Sequence, residues 1–537
     1  MSSVNEEKEE FRTNSGIPVK ECYGPQDINQ LDYDRDIGPP GQSPYTRGIY
    51  ATMYRGRPWS IRQFSGHSTP EETNQWFRQE YEMGQTGFSV AFDVPTESGI
   101  DSDDPRAEAD VGVGGVAADT IEDFEIIFDG LPIDEVGTSI VAGCPATCQV
   151  TAMYFAMAEK RGLDLKRLPG TGGTDLITGM CAEPLMDLIP PHHMLRICVD
   201  LIEWCCKVAP RWHPVNIDMY NIRESGVTAY QELAYMFAEI GAYVDEELKR
   251  NRLSIDEFAP SFAYNMSMDI DFFEEIAKLR AARRMLSKMM TRKYGAKNPR
   301  SYQLRVHVQT GGSTHTRQQP LNNVVRIAYE VLAAALGGTQ SLHANAYDEA
   351  ICLPTEESLK LALRTQQIAQ METKIANVVD PLAGSYYLES LTDALEKEAW
   401  DYMSKIEQAG GLVGALDSGW MHREFIKAMV ERQKEIESGK RKIVGVNCFV
   451  EPDEPYPGKV FHANPETVNI QEAKLKRIRA MRDNGKVQKA LDQLRRDLES
   501  GANVMPSVME AVKTYTTMGE ISKVWCDVFG IWVPPIH

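Results

Sequence analysis

No stretch of this chain is apolar for long enough to cross a bilayer. Its longest apolar runs, such as VVRIAYEVLAAALGG (324–338), carry Arg326 and Glu330 and fall short of the roughly 20 residues a spanning helix needs. The first residues, MSSVNEEKEEFR, are acidic and polar, without the apolar run of a secretory signal, so a cytoplasmic location is expected. A basic surplus is also lacking. The net charge is −20, which argues against nucleic acid as the main partner, although a small phosphorylated ligand held by a local arginine pair stays open. Cysteine is present but unpatterned. Of ten residues, only Cys144 and Cys148 (CPATC) and Cys205–Cys206 are close pairs. Neither pair has zinc-site spacing, so all read as small apolar fillers of a reducing compartment. The common hydrolytic sets are missing too: there is no GxSxG, no HExxH and no double CxxC array.

What is present is a long alternation. Residues 1–45, charged and rich in Pro and Gly (DIGPPGQSPY), have no apolar period and read as an extended arm. Thr69-Pro70-Glu71-Glu72 reads as a capping box with Pro at the first helical position, opening a helix to about 84. Strand FSVAFDV (88–94) follows. Helices are then predicted over 119–129, 146–161, 175–208, 227–250, 271–294, 320–336 and 355–372. The strands between and after them fall at 137–142, 167–171, 215–220, 261–266, 302–309, 339–343 and 375–379. About eight strand–helix units imply a parallel sheet and suggest an α/β fold of the (β/α)8 TIM-barrel type over 46–385; a doubly wound open sheet is the alternative on pattern alone. Beyond 385 the strands stop. Residues 387–409 and 465–499 read as amphipathic helices around the irregular VEPDEPYPGKVFHANP (450–465), so 386–537 is expected to be a helical C-terminal region.

In such a fold chemistry gathers at strand ends. One predicted strand ends at Tyr220-Asn221, another runs into HVQTGGSTHT with His307 and Gln309, and a third into TQSLHANAYDEA with Gln340, Ser341, His343 and Glu349. A further one enters Gly170-Thr171-Gly172-Gly173-Thr174, where backbone N–H groups have room to approach a ligand, although GTGGT lacks a phosphate-loop lysine. Each feature alone has a plain structural reading: a lone buried histidine is more often a satisfied core group, and glycine clusters are often turns. Together they describe a site rich in Gln, Asn, Ser, Tyr and His with no obvious nucleophile. That suits a cofactor which carries the hard chemistry.

Long specific segments bear a resemblance: YATMYRGRPWSIRQF, GFSVAFD, DSDDPRAEADVGVGGVA, FEEIAKLRAARR, NNVVRIAYE, GGTQSLHANAYDEAICLPT and VVDPLAGSYYLE. From about residue 40 to 530 the chain resembles the large, substrate-binding part of the adenosylcobalamin-dependent acyl-CoA mutases, a family that includes methylmalonyl-, isobutyryl-, 2-hydroxyisobutyryl- and pivalyl-CoA mutases. The resemblance implies a barrel threaded by the pantetheine of CoA, with cobalamin over its C-terminal face and a radical rearrangement of the acyl carbon skeleton. It further implies that Tyr50, Thr52, Met53, Arg57, Ser60 and Arg62 grip CoA and line the entrance, with Ser89 and Thr171 as further CoA or substrate contacts. Tyr220, His307 and Gln309 match positions around the acyl group and cobalamin. Gln340, Ser341 and Glu349 match a cofactor-facing strand end.

Departures narrow the subtype. Where methylmalonyl-CoA mutases have Tyr, this chain has Phe64, as the isobutyryl type does. Their carboxylate-pairing Arg falls at Glu183, within a position or so, and neither Ala182 nor Pro184 replaces it. Two like charges about 4 Å apart repel by about 4 kcal/mol at an effective dielectric of 20, about a thousandfold in affinity. A branched, uncharged acyl group is therefore expected in place of methylmalonyl. The 2-hydroxyisobutyryl type has an aliphatic residue at Phe64 and an Asp at Ala91, and the isobutyryl type has Gln at Glu183. The family's His after Tyr is Asn221 here, which donates a hydrogen bond but cannot become charged. An Arg contact to CoA is replaced by Ser261, with His315 and Arg317 as candidate compensating groups. None of the ten histidines stands in D-x-H-x-x-G, the cobalt-binding motif of the family. The expectation is a large subunit that needs a small cobalamin-binding partner, is inactive alone, and homodimerises through the large subunit. A non-catalytic CoA-binding or partner-stabilising subunit is the alternative of another class.

Overall fold

The computed structural model describes residues 11–183, 185–452, 456 and 458–535. Residues 1–10 of the expected arm, Pro184 and part of the Pro-rich 450–465 stretch lie outside them.

Among the described residues, ten short strands form two parallel sheets. They are β1 (Ser60–Ile61), β2 (Phe64–Ser65), β3 (Phe88–Val90), β4 (Thr138–Ile140), β5 (Gly170–Gly172), β6 (Trp212–His213), β7 (Val215–Asp218), β8 (Phe262–Met268), β9 (Val306–Thr310) and β10 (Ser341–His343). One sheet has the order β1-β10-β9-β8-β7 and the other β2-β3-β4-β5-β6. Only Arg62 and Gln63 separate β1 from β2, and only Pro214 separates β6 from β7. The chain therefore steps from one sheet to the other at both edges within one or two residues. Pro214 has no N–H for a ladder, which accounts for the second break.

Helices fill the connections as predicted, including Pro70–Glu82, Ala146–Lys160, Pro191–Val208, Ala229–Arg250, Phe272–Lys288, Asn322–Gly337 and Glu356–Met371. Half of the predicted capping box forms, with Thr69 Oγ1 accepting from Glu72 N at 3.2 Å. Two expectations are corrected. The strand expected at 375–379 is a single turn, Ile375–Asn377, because the free edge of β10 is taken by β1: Ser60 pairs with Ser341 and Ile61 with Leu342. The missing first strand is supplied by 60–65, whose polar SIRQFS hides its strand character. Predicted strands also run too long, as at 88–94, where Asp93 caps the short helix Val94–Ser98 by accepting from Thr96 N at 3.0 Å.

The C-terminal region is helical from Tyr386–Gln408 to Met518–Phe529, and it shares the core of the sheet region in one continuous apolar cluster. Helix Tyr386–Gln408 lies against Phe272–Lys288 through Arg280–Glu389 at 2.5 Å and Lys288–Glu396 at 2.6 Å. It meets Ala229–Arg250 where the hydroxyls of Tyr235 and Tyr402 are 3.0 Å apart. The arm is pinned as well, with Asn14 N donating to Asp271 and Ser15 N to Glu274. Among the described residues no helix is long and apolar enough to cross a membrane.

Candidate active site

A cavity of about 430 Å3 lies between the two sheets and is lined by residues of both. It exists because the facing positions are small and polar. Phe64, Ser89, Ser139 and Thr171 stand in register across β2 to β5. Ser60, Ser341, His307 and Asn265 do so across β1, β10, β9 and β8. Parallel strands buried on both faces are normally rich in Val, Ile and Leu; hydroxyls at these positions leave a hollow.

One end of the hollow, at the starts of the strands, is cationic. Arg57, Arg62 and Arg305 line it. The Arg62 side chain lies across Gly87 and Gly137, just before β3 and β4, where an added Cβ would stand 2.9 Å from Nε and 2.6 Å from Nη2. Those two glycines make its slot. Its Nε is buried without a hydrogen-bond partner, and burial followed by neighbouring Arg57 lowers the guanidinium's pKa from its usual range. Tyr50, 48% exposed, marks the opening to solvent. The aromatic wall is fixed from behind: Tyr54 donates to Thr339 O at 2.8 Å, Tyr54 and Trp59 meet edge to face at 4.9 Å, and Trp59 Nε1 donates to Gln366 at 3.2 Å. Just inside, His307 Nδ1 is 2.8 Å from Ser341 Oγ. Burial, then Arg62, push this imidazole down to about 3, so it is neutral.

The other end, at the strand C-termini, is acidic. Glu97, Glu183 and Asp218 line it with Tyr220, Asn221, Asn265 and Gln309. Asn221 Nδ2 donates to Glu183 Oε1 at 2.6 Å, while Glu183 Oε2 is buried without a partner. Burial, then Asp218, raise the Glu183 carboxyl to about 7, opposed by the Asn221 bond. Burial, then Asp175, raise Asp218 to about 7 as well. Burial, then Glu183, hold Glu97 well above the carboxylate range. Tyr220 Oη accepts from Gly312 N at 3.2 Å and Asn345 Nδ2 at 3.4 Å. A Cβ on Gly312 would stand 2.8 Å from that oxygen, so the glycine is what lets the phenol approach the backbone.

A cationic mouth, a polar channel and a closed far end describe a site for a long ligand with an anionic head. The profile of the family described as Methylmalonyl-CoA mutase matches residues 12–531. The chain belongs to the methylmalonyl-CoA mutase family. It is 40% identical over 533 residues to the 2-hydroxyisobutanoyl-CoA mutase large subunit of Aquincola tertiaricarbonis, covering 99% of this chain and 94% of that one. It is also 40% identical over 525 residues to the Methylmalonyl-CoA mutase of Escherichia coli K12 (98% and 72%), and 38% over 528 residues to the Methylmalonyl-CoA mutase large subunit of Streptomyces virginiae (97% and 71%). Like the rest of this coenzyme B12-dependent mutase family, it is an isomerase.

Most positions expected from the resemblance line the one cavity: Tyr50, Met53, Arg57, Ser60, Arg62, Phe64, Ser89, Thr171, Glu183, Tyr220, Asn221, His307, Gln309, Gln340 and Ser341. Thr52, Ser261 and Glu349 stand apart from it. Thr52 is exposed at the start of the short helix Met53–Gly56. Ser261 turns its hydroxyl back to Phe258 O at 2.6 Å. Gln340 and Ser341, expected at the cofactor-facing end with Glu349, sit at the opposite end, where β10 begins. The Gln340 amide is tied there to Val306 N at 2.9 Å and Gly338 O at 2.8 Å. His307 belongs with them, beside Arg62. Glu349 lies beyond β10 near Tyr220 and His315, and burial raises its carboxyl to about 7.

The GTGGT glycines prove to be packing positions: a Cβ on Gly170 would stand 2.1 Å from the Trp212 ring. Nor does His315 replace the arginine absent at 261, because it is buried 3.6 Å from Glu330. Arg305 fills that place. Its Nη2 lies 3.4 Å from Phe262 O and also bonds Pro260 O, on either side of Ser261. Sequence reasoning missed Arg305, Glu97, Asp218 and Asn265. Alternation would have found Asp218, two residues before Tyr220 on the face of Asn216; nothing in the spacing marks Glu97, which lies on the short helix Val94–Ser98.

Proposed function

We propose that this chain is the large catalytic subunit of an adenosylcobalamin-dependent acyl-CoA mutase, rearranging the carbon skeleton of a branched acyl-CoA that carries no carboxylate, of the isobutyryl type or bulkier. The observation that carries this reading is the polarity of the cavity, with arginines at the open end and carboxyls at the closed one. In this reading the two sheets, joined at both edges, close as a (β/α)8 barrel over 46–385, backed by the helical region 386–537. Arg57, Arg62 and Arg305 hold the phosphates and amides of CoA at the mouth. Ser60, Ser89, Thr171, His307, Gln340 and Ser341 line the pantetheine channel.

The thioester then lies beside Tyr220, Asn221 and Gln309, with Phe64 as an apolar wall. Asn221 keeps a second N–H for the thioester carbonyl while its first holds Glu183. Neutral donors, in place of ionised ones, orient the carbonyl without offering it a proton, and the enclosed channel excludes water. The C-terminal end fits a cofactor bearing hydroxyls, since the Glu349 carboxylate has no hydrogen bond or ion pair among the described residues. Adenosylcobalamin, when bound, supplies the carbon radical that begins and ends the rearrangement. Its cobalt ligand would come from a small partner subunit with D-x-H-x-x-G, a motif in which none of the chain's histidines stands. Homodimerisation through the large subunit and a cytoplasmic location complete the reading.

Methylmalonyl-CoA as substrate is disfavoured by Glu183, which would face its carboxylate. A non-catalytic CoA-binding role is the second reading, favoured by the absence of a chargeable group at Asn221. The test is to combine the chain with such a partner, adenosylcobalamin and a panel of branched and linear acyl-CoAs, and to follow isomer formation by mass. Isomerisation of an uncharged branched acyl-CoA is expected; CoA binding without turnover of any substrate would favour the second reading.

A further inference from the structure

Many buried carboxylates in this protein hold a cation or donors on at least one oxygen. Glu232 and Glu275 share Lys278 at 2.7 and 2.5 Å, Glu389 meets Arg280, and Asp123 meets Lys474 at 2.7 Å. Glu239 accepts from Leu176 N and the Tyr243 hydroxyl at 2.7 Å each. Several keep a second oxygen unpartnered in the packed core, Glu239 and Glu389 among them, but of these carboxylates only Glu183 lines the cavity. Glu97 has no side-chain hydrogen bond or ion pair among the described residues, and Glu183 Oε2 is buried and unpartnered. Asn265, only 7% exposed, gives its Nδ2 to Asp218 at 3.0 Å, so its Oδ1 is a second buried acceptor without a donor. All three residues line the cavity, and no lysine or arginine lines that end.

An orphaned buried acceptor costs the full desolvation of the group, and more when it is charged. Two such acceptors, with the unbonded Glu97 carboxyl beside them, describe a pocket rich in unused acceptors and without positive charge. An aliphatic acyl group supplies neither donors nor positive charge, and a carboxylate adds repulsion. Tyr220 and Asn221 offer N–H or O–H groups on the thioester side, so the shortage is confined to the far tip of the acyl group.

We infer that the acyl group this enzyme binds carries an ammonium at its far end, received by Glu183, Glu97 and the Asn265 carbonyl. This rests on the acyl-CoA reading above and narrows its substrate class to amino-substituted branched acyl-CoAs. Glu183 is then the specificity-determining residue and Asn221 its positioning residue, since the 2.6 Å bond to Oε1 fixes the carboxyl at the cavity wall. An ammonium has three N–H donors and one charge, which matches the acceptors available; charge-assisted bonds of this kind are about twice as strong as neutral ones.

The test uses four CoA thioesters on one carbon skeleton, differing only at the tip: isobutyryl-CoA (methyl), 3-hydroxyisobutyryl-CoA (hydroxyl), 3-amino-2-methylpropanoyl-CoA (ammonium) and methylmalonyl-CoA (carboxylate). Their affinities for the purified full chain are measured by calorimetry, with acetyl-CoA as reference. The amino thioester is expected to bind about tenfold or more tighter than isobutyryl-CoA, with methylmalonyl-CoA weakest. Glu183→Gln and Glu97→Gln should each remove most of that preference, read as the ratio of amino to isobutyryl affinity within each variant, with far-UV circular dichroism reporting that the variants fold. Equal or tighter binding of the isobutyryl or hydroxyl thioester would overturn the inference and leave the acyl-CoA reading standing. A preference for the amino thioester that survives in both variants would overturn it too. Failure of acetyl-CoA and all four thioesters to bind would overturn the acyl-CoA reading and this inference with it.

Discussion

At the scale of single residues, two substitutions unexplained by sequence turn out to touch. Glu183, where an arginine was expected, and Asn221, where a histidine was expected, form one hydrogen-bonded pair at the closed end of the cavity. Each makes sense only beside the other: an amide donor suits a carboxyl, whereas a histidine next to an arginine suits an anion. The pair has a stability consequence. With its pKa raised from 4.5 to about 7, Glu183 binds its proton more tightly folded than unfolded. Its favourable contribution is complete below about 4.5 and lost as pH rises through about 7, where the charge faces Asp218 and Glu97 in a confined space. Glu183→Gln should therefore raise the melting temperature at pH 8, on the order of 1–2 °C for a chain this long, and change it little at pH 5; differential scanning fluorimetry at both pH values reads this. At the mouth, Arg62→Ala should weaken acetyl-CoA binding by about tenfold to a hundredfold, the value of a charge-assisted contact. Arg62→Lys should restore only part of that loss, since lysine cannot reach as a planar fork.

At the scale of elements, the helices were legible from sequence and the strands only in outline. Helices such as Pro70–Glu82 and Ala229–Arg250 announce themselves by cap residues and an apolar stripe, both local properties. The strands here are two to seven residues long, too short for a period to establish itself, and several of their inward positions are serine or threonine because they face a cavity. Function thus erased the signal that marks a strand. This is why no strand is predicted at 60–65, and why 375–379, apolar but without a free edge to join, is predicted as one. The same effect put Gln340 and Ser341 at the wrong end of β10: the chemistry of the residues was readable, the strand's start was not. Charged helix faces are equally opaque to pattern, since Lys278 is fully buried between Glu232 and Glu275. Lys278→Met should leave Glu232 and Glu275 to share Arg223 alone and cost about 3–5 kcal/mol, seen as a lower urea midpoint with unchanged slope. In β5, Gly170→Ala would drive a methyl into the Trp212 ring and should cost about 1–3 kcal/mol as overpacking does, by the same assay.

At the scale of the whole molecule, the account rests on a direction. The cavity runs from three arginines at the strand N-termini to three carboxyls at the strand C-termini. A molecule with phosphates at one end and a small acyl group at the other has one way to enter. The single core shared by the sheets and the C-terminal helices keeps those two ends in fixed relation, as a site that must position a thioester requires. Family membership, established over residues 12–531, agrees with that direction without dictating the acyl group, because the residues at the closed end are the ones that depart from the resemblance. The most direct test is an experimental structure of the chain with acetyl-CoA bound. The account predicts phosphate density beside Arg57 and Arg305, pantetheine along Ser60, His307 and Ser341, and the thioester carbonyl within hydrogen-bond reach of Asn221 or Tyr220. CoA bound outside the cavity, or with its phosphates toward Glu97 and Glu183, would contradict it.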